Sequence, residues 1–353
     1  MKIVFDTSIL NYTNAGVARY IKEIIQAFYN LGFYDIKRAT NKKHISNNRN
    51  IQRIFNFIDQ TFWYRKGLSK YVEEVECDLL HCPSFASPSN IKKPMVITIH
   101  DVYFLRNPKA FHIYHYPLSK YYLNNSINKA EKIICVSNFT KNELLSFYPN
   151  VEEKIHVIYE GTSIKNHFSN DKNYSEYNFP FILSVATLEP RKNLINVIKA
   201  FSLIKDKIDH KLILVGGYGW KNKAIYSLVK NLALEDRVLF TGFVTDDKLA
   251  WLYQNTKLFV YIPFYEGFGL PVVEALSMGC KCITSDIGAL NEISNNYSER
   301  VNPYDVEMIS EQILHSLNDN KKNNYDKIKQ WMTQFTWENA ARETYKIYEE
   351  IVL

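Results

Sequence analysis

The chain has 353 residues, about two to three times the usual length of one domain, so we expect two domains with separate hydrophobic cores. Hydrophobic residues make up 46% and charged residues 23% of the chain, which excludes a disordered or fibrous protein. The net charge of +6 favours an anionic ligand or surface, but it is too small to indicate a nucleic-acid-binding protein.

In the first half of the chain, short apolar runs alternate with segments of helical period, which predicts a series of βαβ units. A helix is expected over Val17–Phe28, and Ser137 is expected to cap another over Phe139–Leu145. The basic, asparagine-rich segment Lys37–Arg53 is predicted to be a solvated loop or insertion. The predicted strands are Lys2–Phe5, Leu79–His81, Met95–Ile99, Lys132–Val136 and Ile155–Ile158.

The amino terminus and the cysteines predict a cytoplasmic location. Met1–Leu10 is only briefly apolar and contains Asp6, so we expect a first strand and no signal peptide. No apolar run approaches the roughly 18 to 20 residues needed to cross a bilayer. The five cysteines lack the repeated spacing of a metal site, and we interpret them as reduced thiols.

The second half opens with a polar stretch, Lys165–Phe179, which has no apolar periodicity and is predicted to be a linker. Helices are expected after it over Leu194–Ile204 and Lys248–Asn255, and an amphipathic helix over Trp337–Ile351 closes the chain. The strands predicted in this half are Phe181–Val185, Lys211–Val215, Val238–Phe240, Leu258–Ile262 and Lys281–Thr284.

This alternation predicts an α/β protein with two doubly wound, Rossmann-like domains in tandem. We place them at residues 1–165 and 166–336, followed by a terminal helix over 337–353. Ligands of open parallel sheets collect at the carboxyl ends of the strands, so the residues after each strand are the candidates for chemistry.

Two strand ends of the second domain suit a phosphate or a ribose. Arg191 and Lys192 are adjacent cations where a helix begins, which suits a diphosphate, although a solvated pair on a loop is the alternative. Gly216, Gly217 and Gly219 follow a strand, where glycines permit close backbone approach; a tight turn explains them about as well.

A third strand end is the most informative. Gly267 and Gly269 precede a helix predicted to begin at Pro271, so backbone N–H groups and the positive end of the helix dipole form an anion site. Glu266 and Glu274 flank this point, which suggests contacts with sugar hydroxyls or a developing positive charge. The alternatives are a loop surface acid for Glu266 and a first-turn acid for Glu274.

The run EGFGLPVVE, Glu266–Glu274, resembles the E-x7-E signature of the family 4 (group 1) glycosyltransferases, retaining enzymes of the GT-B fold. The resemblance implies two Rossmann-like domains facing a cleft, with a C-terminal helix that crosses back to the first domain. It extends over most of the chain: Thr187–Leu194 is similar to the family's phosphate loop, Leu239–Val244 to its base-contacting turn, Val136–Leu145 to its first-domain helix start, His100 with Asp101 to its first-domain histidine, and Phe335–Trp337 to the start of its final helix.

The resemblance implies that the second domain holds a nucleotide sugar. Arg191 and Lys192 would then neutralise the leaving diphosphate. Glu274 would accept hydrogen bonds from the ribose, and Glu266 would bind the transferred sugar near its anomeric centre. Further contacts with the nucleotide would come from Gly216, Phe243 and the backbone amides of Phe268, Gly269 and Leu270.

The same resemblance implies that the first domain holds the acceptor. Gly16 would let the chain approach the diphosphate, although one glycine stands here where the family often has two. His100 would contact the donor sugar or assist proton transfer; a hydrogen-bonded histidine at a strand end is the alternative.

We expect a metal-independent reaction, because two cations and a helix N-terminus can balance the charge of the leaving diphosphate. The pair Asp246-Asp247 is interpreted as a helix N-cap instead of a metal-binding motif. The family retains the anomeric configuration, which is commonly explained by attack on the same face with the departing phosphate as base.

The resemblance is strongest to the bacterial branch that builds O-antigen and other surface polysaccharides. It implies mannosyl transfer from GDP-mannose, with rhamnosyl or glucosyl transfer as alternatives, to a glycan or polyprenyl-diphosphate-linked saccharide. A nucleotide-sugar epimerase or a catalytically silent nucleotide-sugar-binding partner of the same fold are further alternatives.

A lipid-linked acceptor would place the protein on the inner face of the membrane as a peripheral protein. Lys37–Arg53 is basic, and Ile51–Leu68 mixes aromatic with basic residues as interfacial helices do. The alternative is that Phe55, Phe57, Phe62 and Trp63 belong to the core. The aromatic run Tyr103–Tyr122 is a second candidate for acceptor contacts or, alternatively, for packing.

Overall fold

The computed structural model describes residues 1–13, 16–46, 48–110, 115–162, 164, 174–319 and 325–353. These residues form two compact units. The first consists of Met1–Gly161 together with Trp337–Leu353, and the second consists of Thr162–Thr336. Of the predicted linker over 165–179, residues 165–173 lie outside the described part of the chain.

The first unit contains a six-stranded parallel sheet. Its strands are β1 (Ile3–Asp6), β2 (Ile36–Ala39), β3 (Leu79–Cys82), β4 (Met95–Ile99), β5 (Lys132–Cys135) and β6 (Ile155–Val157). They lie in the order β2-β1-β3-β4-β5-β6, and each neighbouring pair is parallel. Strand order therefore reverses at β1 and β3, the kind of switch point where open sheets bind ligands.

The helices of the first unit follow the expected alternation. They are α1 (Gly16–Asn30), α2 (Arg49–Phe62), α3 (Leu68–Val75), α4 (Tyr103–Arg106), α5 (His115–Lys129) and α6 (Asn138–Phe147). A turn of π-helix, Trp63–Gly67, joins α2 to α3. As predicted, Ser137 caps α6, because its side chain accepts a hydrogen bond of 3.0 Å from the N–H of Thr140.

The second unit contains another six-stranded parallel sheet. Its strands are β7 (Phe181–Val185), β8 (Lys211–Val215), β9 (Val238–Gly242), β10 (Leu258–Tyr261), β11 (Cys282–Ser285) and β12 (Glu299–Val301). They lie in the order β12-β11-β10-β7-β8-β9, again with parallel pairing throughout. This is the Rossmann order, and its switch point lies between β7 and β10.

The helices of the second unit are α7 (Leu194–Ile204), α8 (Lys223–Asn231), α9 (Asp246–Asn255), α10 (Leu270–Ser277), α11 (Leu290–Ser294), α12 (Val306–Asn318) and α13 (Tyr325–Met332). The predicted N-cap at Asp246-Asp247 is wrong by one residue. Thr245 caps α9 by accepting a hydrogen bond from the N–H of Lys248. The two aspartates occupy the first turn, where their negative charges interact favourably with the helix dipole.

The final helix, α14 (Trp337–Val352), belongs to the first unit and packs against α1. A buried chain of polar side chains fixes it: the hydroxyl of Tyr348 bonds Nδ1 of His81, whose Nε2 lies 2.8 Å from Oγ1 of Thr98. Burial lowers the pKa of His81 to about 3, so the ring is neutral. None of the helices in the described ranges has the length and apolar character needed to cross a membrane.

Two strands lie where none was predicted. Residues 36–39 form β2 and Arg49 begins α2, so the predicted loop over Lys37–Arg53 is wrong at both ends. The strand β12 has only three residues, two of them exposed. Both are edge strands, which in natural sheets are short and charged and therefore lack the apolar runs on which the prediction relied.

Candidate active site

The switch point of the second sheet brings together two side chains that are 74 positions apart. Lys192 follows β7 and Glu266 follows β10, and Nζ of Lys192 lies 2.5 Å from Oε2 of Glu266. Tyr261, the last residue of β10, accepts a 2.9 Å hydrogen bond from Lys192 and donates one of 2.6 Å to Glu266. The N–H of Phe264 donates to the carbonyl of Arg191 at 2.9 Å and so ties the two loops together.

This cluster is largely removed from water, since the side chains of Lys192 and Glu266 are 11% and 14% exposed. Burial alone would raise the pKa of Glu266, but the charges of Lys192 and Arg191 outweigh it and hold that pKa below its ordinary value. Burial, followed by the charge of Arg191, lowers the pKa of Lys192. Burial also raises the pKa of Tyr261 well above its usual range, so its hydroxyl keeps its proton.

Arg191 has an acidic partner that the sequence did not suggest. Its Nε and one terminal nitrogen each lie 3.1 Å from Oε1 of Glu189, whose other oxygen accepts from the indole N–H of Trp220 at 3.1 Å. Glu189 stands in the run TLEPRKNL, two residues before Arg191, and this short spacing was the signal in the sequence that the two side chains could pair. Arg191 and Lys192 therefore each have an acidic partner: Glu189 lies on the loop after β7, and Glu266 lies on the loop after β10.

Glu274 lies on α10, which follows the Glu266 loop. Its side chain is buried, and Oε2 accepts a 2.9 Å hydrogen bond from the hydroxyl of Tyr253. The first turn of α10 contains no acidic residue, so Glu274 is not the first-turn acid offered as its alternative role. A buried, hydrogen-bonded carboxylate one turn further on needs a different explanation from dipole stabilisation.

The start of α10 requires glycine. Gly269 has φ +106°, and a Cβ there would lie 2.4 Å from Cδ2 of Leu290. Its carbonyl accepts hydrogen bonds from the N–H groups of Val272 and Val273. The flanking side chains of Phe268 and Leu270 are buried, so the backbone of this loop is held by its own packing.

The glycines after β8 serve two different contacts. A Cβ on Gly216, which has φ +144°, would lie 2.0 Å from the carbonyl oxygen of Ala186, so the close approach here is by the chain itself. A Cβ on Gly217 would lie 2.1 Å from the ring of Phe243, which stays 67% exposed. The packing of the chain itself therefore explains why residue 216 is glycine, whereas the ring of Phe243 is an aromatic face open to solvent.

In the first unit, both ring nitrogens of His100 face oxygen atoms. Nε2 lies 3.1 Å from the carbonyl of Pro83 and Nδ1 lies 2.8 Å from Oε1 of Glu160. A carbonyl only accepts, so Nε2 is the donor to Pro83, while Nδ1 faces the carboxyl group of the buried Glu160. Glu160 follows β6 in the sequence, but nothing in its spacing signalled this pairing with a residue 60 positions away.

A cavity of about 420 Å³ opens at the switch point of the first sheet. Its wall includes Ser8 after β1, Phe85 after β3, and His100 and Asp101 after β4. From the predicted aromatic run over 103–122, residues Leu118, Ser119 and Tyr122 line it, and residues 111–114 of that run lie outside the described chain.

Two other residues of the first unit bear on the predictions. Gly16 begins α1, and a Cβ there would meet no atom within 4 Å, so the packing of the described chain does not require glycine. Asp6 is buried, and its carboxylate accepts hydrogen bonds of 3.1 Å from the indole of Trp63 and the hydroxyl of Tyr64. Burial raises the pKa of Asp6, while these bonds oppose the rise.

Comparison with known proteins identifies the class. Residues 166–330 match the family described as "Glycosyl transferases group 1", and residues 15–165 match "Glycosyltransferase Family 4". The two matches together cover most of the chain, so the protein belongs to this family of glycosyltransferases.

Named relatives agree with this assignment. The O-antigen chain mannosyltransferase B of Escherichia coli is 26% identical over 99% of this chain and 100% of its own length. The serotype-specific mannosyltransferase WbdA of Escherichia coli is 32% identical over 61% of this chain, a match that spans 27% of WbdA. The chain is therefore a glycosyltransferase related to enzymes of O-antigen synthesis.

Solved structures confirm the predicted fold class. Sucrose-phosphate synthase from Thermosynechococcus elongatus matches with a TM-score of 0.79 at 17% identity and covers 99% of both chains. Anabaena HepE in complex with UDP-glucose matches with a TM-score of 0.75 at 18% identity, over 99% of this chain and 100% of HepE. Together with the two parallel sheets, these matches define a GT-B fold.

Proposed function

We propose that this glycosyltransferase moves mannose from GDP-mannose, with retention of configuration and without a metal ion, to a glycan or lipid-linked saccharide during surface-polysaccharide synthesis. The observation that carries the proposal is the cluster of Lys192, Glu266 and Tyr261 at the switch point of the second sheet. Two relatives that are named as mannosyltransferases support the choice of sugar.

In the reaction, the bond from the anomeric carbon to the phosphate oxygen breaks, and its electron pair leaves with the nucleoside diphosphate. An acceptor hydroxyl forms the new bond on the same face of the sugar, and its proton passes to the departing phosphate. Lys192 and Arg191 balance the charge of the leaving group, and such electrostatic stabilisation is commonly a large part of catalysis.

Glu266 pairs with Lys192 in the structure, and we propose that it contacts the sugar once the donor is bound. A diphosphate that takes up the charge of Lys192 frees the lone pairs of Glu266 for hydroxyls of the sugar. Glu274 would accept from the ribose, and Phe243 would stack on the base through its exposed ring. The N–H groups at the start of α10 would complete the phosphate contacts.

The first unit would hold the acceptor in its 420 Å³ cavity. Aromatic side chains such as Phe85 and Tyr122 suit sugar rings, and the His100 ring, held in place by Pro83 and Glu160, would form part of the wall beside the acceptor. We place the enzyme in the cytoplasm at the inner membrane face, where lipid-linked acceptors are available.

A panel of donors tests the proposal. Purified protein is offered GDP-mannose, UDP-glucose and a nucleotide-linked rhamnose with a lipid-linked acceptor; nucleotide release is measured, and the product is examined by mass spectrometry and by NMR of its anomeric proton. We expect preference for GDP-mannose and an α-linked product. Strict preference for UDP-glucose would favour glucosyl transfer, the second candidate, which the UDP-glucose bound to HepE supports.

A further inference from the structure

The helix α2 exposes the side chains that a surface helix normally buries. Ile51, Ile54, Ile58 and Phe62 fall on one stripe at helical spacing, and Phe57 lies beside it. All five are exposed, by 43% to 63% of their surfaces. Monomeric soluble proteins rarely leave such a contiguous apolar stripe in water, so this face is expected to have a partner.

The orientation of α2 is fixed by its polar face. The carboxylate of Asp59 is buried, accepts a 2.9 Å hydrogen bond from the N–H of His44, and lies 2.5 Å from the His44 ring. The amide of Gln52 donates to the carbonyl of His44 at 2.9 Å and accepts from the N–H of Ser46 at 2.7 Å. These bonds hold the polar side of α2 on the preceding loop and direct its apolar side outward.

The surroundings of the stripe are strongly basic. Residues 36–72 contain nine lysines and arginines but a single acid, Asp59, which gives a formal charge of +8. Asp59 faces the His44 loop, whereas Lys42, Lys43, Arg65 and Lys66 are exposed. A second copy of the chain would bring the same positive charge against itself, whereas anionic lipid head groups would complement it.

The stripe also adjoins the cavity of the first unit. Phe57, Gln60 and Thr61 of α2 form part of the cavity wall. One helix therefore carries an outward apolar stripe and lines the place proposed for the acceptor. An interfacial helix buries its apolar face at the boundary of head groups and acyl chains, with cations at the head groups.

We propose that α2 lies in the surface of an anionic bilayer and that the cavity takes its acceptor from that surface. The acceptor class is then a membrane-borne amphiphile with a saccharide head, and this part of the inference rests on the proposed function. The binding of lipid by the exposed face of α2 does not depend on the sugar transferred.

Flotation of the full chain with vesicles tests the contact. Vesicles of phosphatidylcholine alone are compared with vesicles that also contain phosphatidylglycerol, at low and high salt. We expect binding to the anionic vesicles that weakens with salt, and a loss of about tenfold or more in the double variant Ile54→Asn/Ile58→Asn. The matched control is Leu203→Asn, since Leu203 is a similarly exposed apolar residue of the second unit.

Two readouts keep the outcome clear. Ile54 and Ile58 do not line the cavity, so nucleotide release with a soluble acceptor should be unchanged in the double variant, which checks its folding and reports the proposed function separately. With a vesicle-borne acceptor, the variant should show a raised KM. Wild-type protein that ignores anionic vesicles, or a double variant that binds them equally well, would overturn the inference. So would a lipid-free dimer that the double variant dissociates.

Discussion

The two units place their candidate sites at the same point of the fold, the switch point of the sheet, but the side chains that form the two sites differ in chemistry. At the switch point of the second sheet, Lys192 pairs with Glu266 and Arg191 with Glu189. At the switch point of the first sheet, a cavity with aromatic walls lies near Asp6, whose pKa is raised by burial. The site in the second unit is therefore built around paired charges, and the site in the first unit is built largely from aromatic and hydroxyl side chains.

This difference fits the parts that the two substrates would play. A leaving diphosphate gains charge as the reaction proceeds, and cations already paired with acids can meet that change with little rearrangement. An acceptor saccharide carries no charge at its reacting hydroxyl, so aromatic faces together with hydroxyl and amide side chains such as Ser8, Gln60 and Ser119 suit it. Equivalent positions in the two sheets therefore carry loops of different chemistry, with paired charges in the second unit and aromatic walls in the first.

Removing one cation from the second unit should produce the largest effect. We expect Lys192→Ala to lower kcat/KM by about 10³-fold, because the charge on the leaving diphosphate loses a desolvated partner. Steady-state nucleotide release measures this, with Lys199→Ala as the control, since Lys199 is an exposed lysine of α7. A loss smaller than about threefold in Lys192→Ala would remove the charged site from the mechanism.

A conservative variant sharpens the same point. The pKa of Lys192 is lowered, so the wild-type enzyme should lose kcat/KM on the alkaline side at a pH below the ordinary range of lysine. Lys192→Arg keeps its charge at high pH and should move this alkaline limb upward, whatever its effect on the maximal rate. A limb that stays in place would assign it to another group.

The success of the sequence in the second unit has a physical basis. The helix α7 was predicted with its exact bounds because LINVIKAFSLI carries clear apolar periodicity. The meeting of Lys192 with Glu266 was foreseeable, because both follow parallel strands and the ends of parallel strands share an edge. Tyr261, which bonds both side chains, and Glu189, which pairs with Arg191, were not predicted, because such contacts depend on the conformation of the strand-end loops. The position of Glu189 two residues before Arg191 was a signal that was not used.

The first unit was harder to predict for related reasons. The segment around α2 was recognised as amphipathic, but periodicity does not say which face meets the protein. Trp63 belongs to the core, as one alternative held, whereas Phe57 and Phe62 are exposed. Glu160 escaped notice because its partner His100 lies 60 positions away on another strand end.

The pH dependence of the free energy of unfolding should differ between the two units. Folded His81 has a pKa of about 3 against an ordinary value of 6.5, so between these values the unfolded chain binds a proton that the folded chain does not. Stability of the first unit should therefore fall by about 2 kcal/mol as the pH drops from 6.5 to 5. The Lys192–Glu266 pair should resist this change, because the pKa of Glu266 is lowered.

Urea unfolding at several pH values measures this loss. The variant His81→Gln should have a flatter dependence on pH, whereas His315→Gln, at an exposed position on α12, should behave as the wild type does. Equal pH dependence in both variants would mean that the buried bonds of His81 with Tyr348 and Thr98 do not set the acid sensitivity.

A smaller effect is expected from the pair in the first unit. Glu160→Leu should lower kcat by about tenfold, because His100 loses the hydrogen bond that holds its ring in place, while the KM for the donor stays within about twofold. Glu160→Gln should retain part of the rate, since it still accepts a hydrogen bond. Exposed Glu152→Gln is the control, and a Glu160→Leu variant whose only change is a raised donor KM would contradict this assignment.

The smallest effect should come from the aromatic face in the second unit. The ring of Phe243 rests on Gly217 and is otherwise open, so Phe243→Ala should raise the KM for the donor about fivefold through the loss of about 1 kcal/mol of stacking. Phe243→Tyr preserves the ring and should behave like the wild type, and Tyr34→Ala, at an exposed tyrosine of the first unit, controls for loss of an exposed aromatic. The proposed mechanism assigns kcat to the charged cluster, so kcat should change little in Phe243→Ala. A donor KM unaltered in Phe243→Ala would reduce the ring to a cover over Gly217 and leave recognition of the base to other parts of the loop.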